Sequence, residues 1–371
     1  MDLKGLNKIR VTLIAGARPN FMKIAPIIQA IKKAQERGQD IQYRLVHTGQ
    51  HYDKKMSDNF FAELNIPEPD SNLGCGGGTQ AEQTANILLA FENELLENPT
   101  DLVMVVGDVT STMACSITAK KLQIQVAHVE AGIRSFDLSM PEEINRMVTD
   151  SIADYFFTTT LWAGENLKKA GVADERIYFV GNVMIDTLLK NIQRLKQPAV
   201  WNEKNLKEKD YLVMTMHRPA NVDQQEKLKP FMNAISENVH GLPVIFPMHP
   251  RTKQIFDAAG ITAANIYPVS PLGYLEFNYL VKHSKAVITD SGGITEETTV
   301  MNVPCLTLRD NTERPETIEM GTNELVGTNP SAIKPALDKL FAGNWKTGRT
   351  PEKWDGKAAE RIVQVLLQLN G

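Results

Sequence analysis

Residues Ala286 to Arg314 read AVITDSGGITEETTVMNVPCLTLRDNTER. The first four form an apolar run long enough for a buried strand and too short for a helix. Asp290-Ser291-Gly292-Gly293 then turns the chain. Ile294 to Met301 has helical composition, with Glu296 and Glu297 early in it. A second apolar run, Pro304 to Leu308, leads to Arg309 and Arg314. Strand, Ser-Gly-Gly turn, helix, strand is the repeating unit of a parallel α/β fold. It points free backbone N–H groups above the strand end. Glycines let an anion approach the backbone there, and the helix N-terminus favours negative charge. Alone, the turn is equally compatible with an ordinary connection beside a solvated arginine, because glycine-rich turns are common.

The same alternation extends in both directions. Strands are expected at Ile9 to Ala15, Ile41 to Thr48, Leu102 to Val106, Ile124 to Val129 and Tyr155 to Thr159. Between them lie helical patterns: Met22 to Glu36, with Ile24, Ile27, Ile28 and Ile31 on one face, then Asp53 to Leu64, Ser111 to Leu122 and Glu142 to Ala153. Thr79-Gln80-Ala81-Glu82 is a capping box that starts a further long helix, in which Glu92 and Glu94 read as solvated. The polar segment Lys196 to Lys209 reads as a domain join. Alternation then restarts at Tyr211 to Met216 and continues through the opening stretch. Strands that alternate with helices make parallel sheets covered on both faces. Two such domains are expected, residues 1–182 and 183–354, with a last helix in 355–371 packing back on the first.

Bulk properties agree with two soluble domains. The chain has 371 residues, 42% hydrophobic and 23% charged, with a net charge of −4. No long basic block exists, so nucleic acid is not an expected partner. No run reaches membrane-span length, and the first apolar run reads as a strand rather than a signal peptide. Cys75, Cys115 and Cys305 match no metal spacing and suggest a reducing cytoplasm.

In open α/β sheets ligands sit at the carboxyl ends of the strands. Those ends present Arg18 and Lys23, then His47, Gln50 and His51, then Asp108, then His128 and Glu130, with Glu142, Glu143 and Arg146 just beyond. The second half presents His217, Arg218, His249, Asp290, Ser291, Glu297, Arg309 and Arg314. Carboxylates gathered in one cleft raise one another's pKa, which suits proton exchange near neutral pH. Cations in one half and the Ser-Gly-Gly cradle in the other would suit a diphosphate. Each has a plainer reading. Asp108 could cap the following helix, and Glu142 could complement its own helix dipole. No D-x-D pattern occurs, and His47 with His51 is a poor metal pair.

Several motifs together carry a resemblance. GARPNFMKIAP (16–26), GDVTST (107–112), HVEAGIRS (128–135), MPEEINR (140–146), TMHRPANVD (215–223), TDSGGITEE (289–297) and RDNTERPE (309–316) run in order along nearly the whole chain. In this the chain resembles the non-hydrolysing UDP-N-acetylglucosamine 2-epimerase family. The resemblance implies a GT-B-like fold, two Rossmann-like doubly wound domains with an active-site cleft between them. It implies interconversion of UDP-N-acetylglucosamine and UDP-N-acetylmannosamine, without metal or cofactor, through a 2-acetamidoglucal, feeding cell-surface polysaccharide precursors. A homodimer is also implied. By motif, Asp108, Glu130 and Glu142 match acid/base carboxylates, and His217 matches a histidine near the diphosphate. Arg18, Lys23 and Arg146 match basic residues of the site. Ser291, Gly292, Gly293, Glu297 and Arg314 match UDP-binding positions, and Phe277 is the candidate to pack on uracil. Gln50 and His51 match an effector pocket. The chain departs from the pattern at Ala17, Asn20, Val109, Pro219 and Ala220, where many members carry Thr, Glu, Thr, Arg and Glu. The alternatives are an epimerase of a related UDP-2-acetamido sugar, such as a diacetamido uronic acid, and a glycosyltransferase, which would need an acceptor.

Overall fold

The computed structural model describes residues 8–49, 61, 63–216, 218, 225–248, 250–258, 260–261 and 263–370. They divide into two compact units. The first comprises Met1–Lys190 with Glu352–Gly371, and the second Asn191–Pro351.

In the first unit the described strands are β1 (Ile9–Ala15), β2 (Ile41–His47), β3 (Ser71–Asn72), β4 (Leu102–Val106), β5 (Gln125–Val129), β6 (Tyr155–Thr158) and β7 (Ile177–Phe179). They form one parallel sheet in the order β3-β2-β1-β4-β5-β6-β7. The chain winds outward from β1 to β3, then crosses back to β4 and winds the other way. The reversal between β1 and β4 is the crevice where such sheets bind ligands. Every residue of β4, LVMVV, is buried, as expected of a central strand covered on both faces.

In the second unit β8 (Leu212–Thr215), β9 (Val244–Pro247), β10 (Ile266–Val269), β11 (Ala286–Thr289), β12 (Cys305–Thr307) and β13 (Asn323–Leu325) are also parallel. Their order, β10-β9-β8-β11-β12-β13, places the reversal between β8 and β11. The opening stretch therefore supplies the strand at the switch point. Thr215 and Thr289 at the ends of those two strands share a hydrogen bond of 2.7 Å.

Several expected boundaries move. The units part at 190/191 rather than 182/183, because helix Val183–Asn191 is tied to the first unit. Thr187 Oγ1 donates to the Met22 carbonyl, and the Asp186 carboxylate accepts the backbone N–H groups of Ala358 and Ala359. The last helix, Ala358–Asn370, thus packs on the first unit, against helix Arg18–Glu36. The segment read as a join is not a free linker. It folds a short helix, Ala199–Glu203, and buries Val200 and Leu206 in the second core. Glu94 is buried rather than solvated, because Arg44 Nε donates to it at 2.6 Å. The Thr79 capping box forms as read: Thr79 Oγ1 accepts from Glu82 N–H and Glu82 Oε2 accepts from Thr79 N–H. Most of the helix expected over 53–64 lies outside the described residues.

Candidate active site

The first unit brings its expected residues to the ends of β1, β4 and β5. Helix Arg18–Glu36 starts directly after β1, with Pro19 in its first turn. Asn20 fastens this corner: its Oδ1 accepts from Gly16 and Ala17 N–H, and its Nδ2 donates to the Val106 carbonyl at the end of β4. An amide both accepts and donates, whereas a glutamate carboxylate at this position could only accept. The departure at Asn20 therefore has a structural use. One turn on, Lys23 reaches Glu130, with Nζ 2.7 Å from Oε2 and both groups buried. Glu130 directly follows β5 and has a φ of 70°, unusual for a residue with a side chain.

Asp108 lies two residues past β4. It does not cap the next helix: that helix, Thr110–Lys121, begins at Val109 without a side-chain cap. Instead Arg146 Nη1 donates to Asp108 Oδ2 at 2.6 Å, and Asn145 Nδ2 to the Asp108 carbonyl at 2.8 Å. The same guanidinium binds Glu143, whose carboxylate also accepts from Ser135 and Phe136 N–H. The carboxylates were expected to crowd one another. In the fold Glu130 is paired with Lys23, while Asp108 and Glu143 share Arg146.

Glu142 and Glu143 both occupy the first turn of helix Pro141–Ile152, but their fates differ. Glu143 is buried in the Arg146 network. Glu142 is exposed and, among the described residues, makes no hydrogen bond or ion pair. The three-residue spacing of Glu143 and Arg146 already put those two on one helix face. That spacing was the available signal that Glu143 is the structural member. Of the remaining residues here, Arg18 opens its helix, while Gln50 and His51 lie outside the described residues. His47 ends β2, where Nδ1 accepts from Gly49 N–H and the ring meets Phe21 edge-on.

In the second unit, Ser291 is the N-cap of helix Gly292–Val300, so Gly292 and Gly293 belong to its first turn rather than to the preceding loop. No side chain caps that end. Ser291, Gly292 and Gly293 are partly exposed, and the first-turn N–H groups point outward from the strand end. Gly292 has a further reason to lack a side chain. A Cβ there would fall 2.9 Å from Glu313 Oε1, and Glu313 is held by Arg309. Arg314 is buried in an ion pair with Glu296. Glu297 is buried and accepts from Tyr274 Oη at 2.8 Å and from Asn278 Nδ2 at 3.4 Å. Burial raises its pKa to about 7, against the pull of those two donors, and neighbouring Glu296 adds to the rise. Burial likewise takes Glu316 to about 7 despite Arg314 nearby. The sequence reading did not single out Glu313 or Glu316, since neither burial nor proximity across a turn is visible in spacing. Phe277 is half-buried on helix Tyr274–His283 and packs against the core of this unit. His217 lies outside the described residues. Its neighbour Arg218 lies against Asp290: the backbone N–H donates to Oδ2, and Nε to the carbonyl.

Among the described residues no group of His, Cys, Asp and Glu is arranged to hold a metal ion, and no helix is long and apolar enough to cross a membrane.

Comparison with known proteins gives one consistent family. The profile of UDP-N-acetylglucosamine 2-epimerase matches residues 33–367. The chain is 41% identical to the UDP-N-acetylglucosamine 2-epimerase of Methanocaldococcus jannaschii, over 96% of this chain and 99% of that protein. It is 39% identical to the UDP-2,3-diacetamido-2,3-dideoxy-D-glucuronate 2-epimerase of Pseudomonas aeruginosa, over 97% and 100%. The crystal structure of the M. jannaschii enzyme in complex with UDP-GlcNAc and UDP superposes with a TM-score of 0.87 at 40% identity, covering 97% of this chain and all of that one.

Proposed function

The chain belongs to the UDP-N-acetylglucosamine 2-epimerase family, and from that premise we propose that it interconverts UDP-N-acetylglucosamine and UDP-N-acetylmannosamine in the cytoplasm. What supports the reading beyond family is one arrangement. Asp108 and Glu130 leave adjacent strand ends, paired with Arg146 and Lys23 respectively, and exposed Glu142 opens the following helix. A base among these carboxylates takes the C2 proton. The C2–H electron pair becomes the C1=C2 bond of a 2-acetamidoglucal, and the C1–O pair leaves with UDP. For return, UDP oxygen attacks C1 and an acid delivers a proton to the opposite face of C2. The hydrogen departs and returns as a proton, so the scheme needs no redox cofactor.

C2–H is not acidic, so its loss must be coupled to departure of a stabilised leaving group. Lys23, Arg18 and the open first turn at Gly292 and Gly293 are the groups we assign to the diphosphate. Glu297 is assigned to the ribose hydroxyls, Phe277 to uracil and His217 to the diphosphate side of the sugar. Incubation with UDP-N-acetylglucosamine in deuterated water should give the manno isomer carrying deuterium at C2, and isomer without label would sink the mechanism. Asp108→Asn should lower kcat by about 10²- to 10⁴-fold, the usual contribution of a positioned acid or base. UDP affinity, measured by calorimetry, should hold.

The P. aeruginosa relative makes a diacetamido uronate the second candidate substrate. The same labelling experiment run across several UDP-2-acetamido sugars separates the two by kcat/KM. We also propose that the chain works as a homodimer. Phe136, Leu138, Ile144 and Met147 expose apolar side chains beside Glu142, on its helix and the loop before it, and a second copy would cover them.

A further inference from the structure

Beneath the two paired carboxylates lies a buried group that the proposed chemistry does not touch. His128, on β5, has no exposed surface. Its Nε2 is 2.8 Å from the carbonyl oxygen of Gly107, and its Nδ1 is 2.6 Å from Asp150 Oδ1. A carbonyl oxygen only accepts, so Nε2 donates to Gly107, and the ring is held between that carbonyl and the Asp150 carboxylate. Asp150 Oδ2 accepts in turn from Gly132 N–H at 3.0 Å and pairs with Arg134 Nη1 at 2.7 Å. Burial works to raise the Asp150 pKa, but the charges and hydrogen bonds of His128 and Arg134 overcome it, and the group stays below its ordinary value.

The positions of these contacts matter more than their number. The Gly107 carbonyl belongs to the peptide that leads into Asp108, and Gly107 has a φ of 66°. Glu130 lies two residues after His128 and has a φ of 70°. Gly132, two residues further, is held by the same carboxylate. Asp150 itself sits on helix Pro141–Ile152, which carries Glu142 and Arg146. One histidine–aspartate pair thus links the end of β4, the turn after β5 and the following helix. Those three pieces carry Asp108, Glu130 and Glu142. Left-handed backbone at non-glycine residues persists only where the surroundings over-determine it.

We propose that His128 is a positioning residue: clamped by Asp150, it fixes the Gly107–Asp108 peptide and the Glu130 turn at the spacing that proton transfer at C2 requires. The assignment rests on the epimerase reading above. A histidine that merely filled the core would cost stability when replaced and leave kcat intact in the folded fraction.

The test uses the full chain with His128→Asn, whose shorter amide cannot span the two oxygens, and Asp150→Glu, which keeps the charge and moves the carboxylate by one methylene. In each, kcat for UDP-N-acetylglucosamine should fall about 10²-fold, the loss expected from an ångström-scale misplacement of reacting groups, with KM and UDP affinity little changed. Should His128→Asn fail to fold, Asp150→Glu decides. A folded variant with wild-type kcat, or a loss carried wholly in KM, overturns the proposal. Nitrogen-15 NMR of the wild type should show His128 Nε2 protonated, as donation to the Gly107 carbonyl demands, and an Nε2 without its proton overturns it whatever the activity. Absence of turnover by the wild type would instead defeat the epimerase reading, with the clamp still judged by the NMR signal.

Discussion

Glu297 shows how a residue's burial, invisible in its spacing, changes what it can do. Its carboxyl is raised from 4.5 to about 7, chiefly by burial. A folded pKa above the unfolded one means that the folded state holds the proton more tightly. The stability this contributes is full below pH 4.5 and is lost as pH rises through about 7. Glu297→Gln keeps an acceptor for Tyr274 without the charge. Relative to the variant, the wild type should therefore weaken from pH 5 to pH 8 by on the order of 3 kcal/mol, read from denaturant midpoints of the second unit. If Glu297 accepts the ribose hydroxyls as a carboxylate, wild-type UDP affinity should rise over the same window. A flat pH profile, matching that of the variant, would remove Glu297 from the ribose site.

At the scale of elements, the turn after β4 concentrates the constraint. Gly107 adopts φ 66°, and a Cβ there would fall 2.8 Å from Lys23 Nζ. Gly107→Ala therefore meets two penalties. A side chain in left-handed backbone costs about 1–2 kcal/mol, and the Lys23 ammonium must give way. That displacement pulls Lys23 from Glu130. Thermal melts should place the variant lower by that backbone cost, while kcat falls further than the folded fraction explains. If activity simply tracks the folded fraction, the Lys23–Glu130 pair has no part in turnover. The glycine at 292 makes a parallel case. A Cβ there would meet the Glu313 carboxylate 2.9 Å away, so that side chain as well as any bound anion constrains the position.

At the scale of the whole molecule, the first unit depends on residues that the chain supplies last. Trp354, Ala358, Ile362 and Leu366 are each no more than 2% exposed. Trp354 Nε1 donates to the Thr159 carbonyl, and Asp186 caps helix Ala358–Asn370. Burying large apolar side chains is worth about 1.5–3 kcal/mol each, so a chain ending at residue 351 should lose on the order of 5 kcal/mol from this unit alone. Hydrogen exchange should show β1 to β7 deprotected and β8 to β13 largely unchanged. Equal loss in both sheets would mean that the two units do not unfold separately. Sedimentation tests the homodimer: Phe136→Asp with Met147→Asp should shift a dimer to monomer, and an unshifted dimer places the contact elsewhere.

The alternation of strands and helices, the parallel character of both sheets and the family were legible in the sequence alone. Those properties follow from local patterns: apolar runs of strand length, capping residues, and motifs such as HVEAGIRS and TDSGGITEE kept in order. The sequence also singled out the strand ends where Asp108, Glu130 and Ser291 stand, because parallel α/β sheets expose those ends by construction. Only the tertiary structure decided how those residues are paired. Lys23 with Glu130 is a contact across 107 residues, and Arg146 with Asp108 one across 38. Neither leaves a trace in local periodicity. The capture of Arg314 by Glu296 and the clamp of His128 between Gly107 and Asp150 arise in the same way. Each is fixed by packing between distant segments in a low-dielectric interior, where a charge or polar group must find a partner wherever the fold brings one.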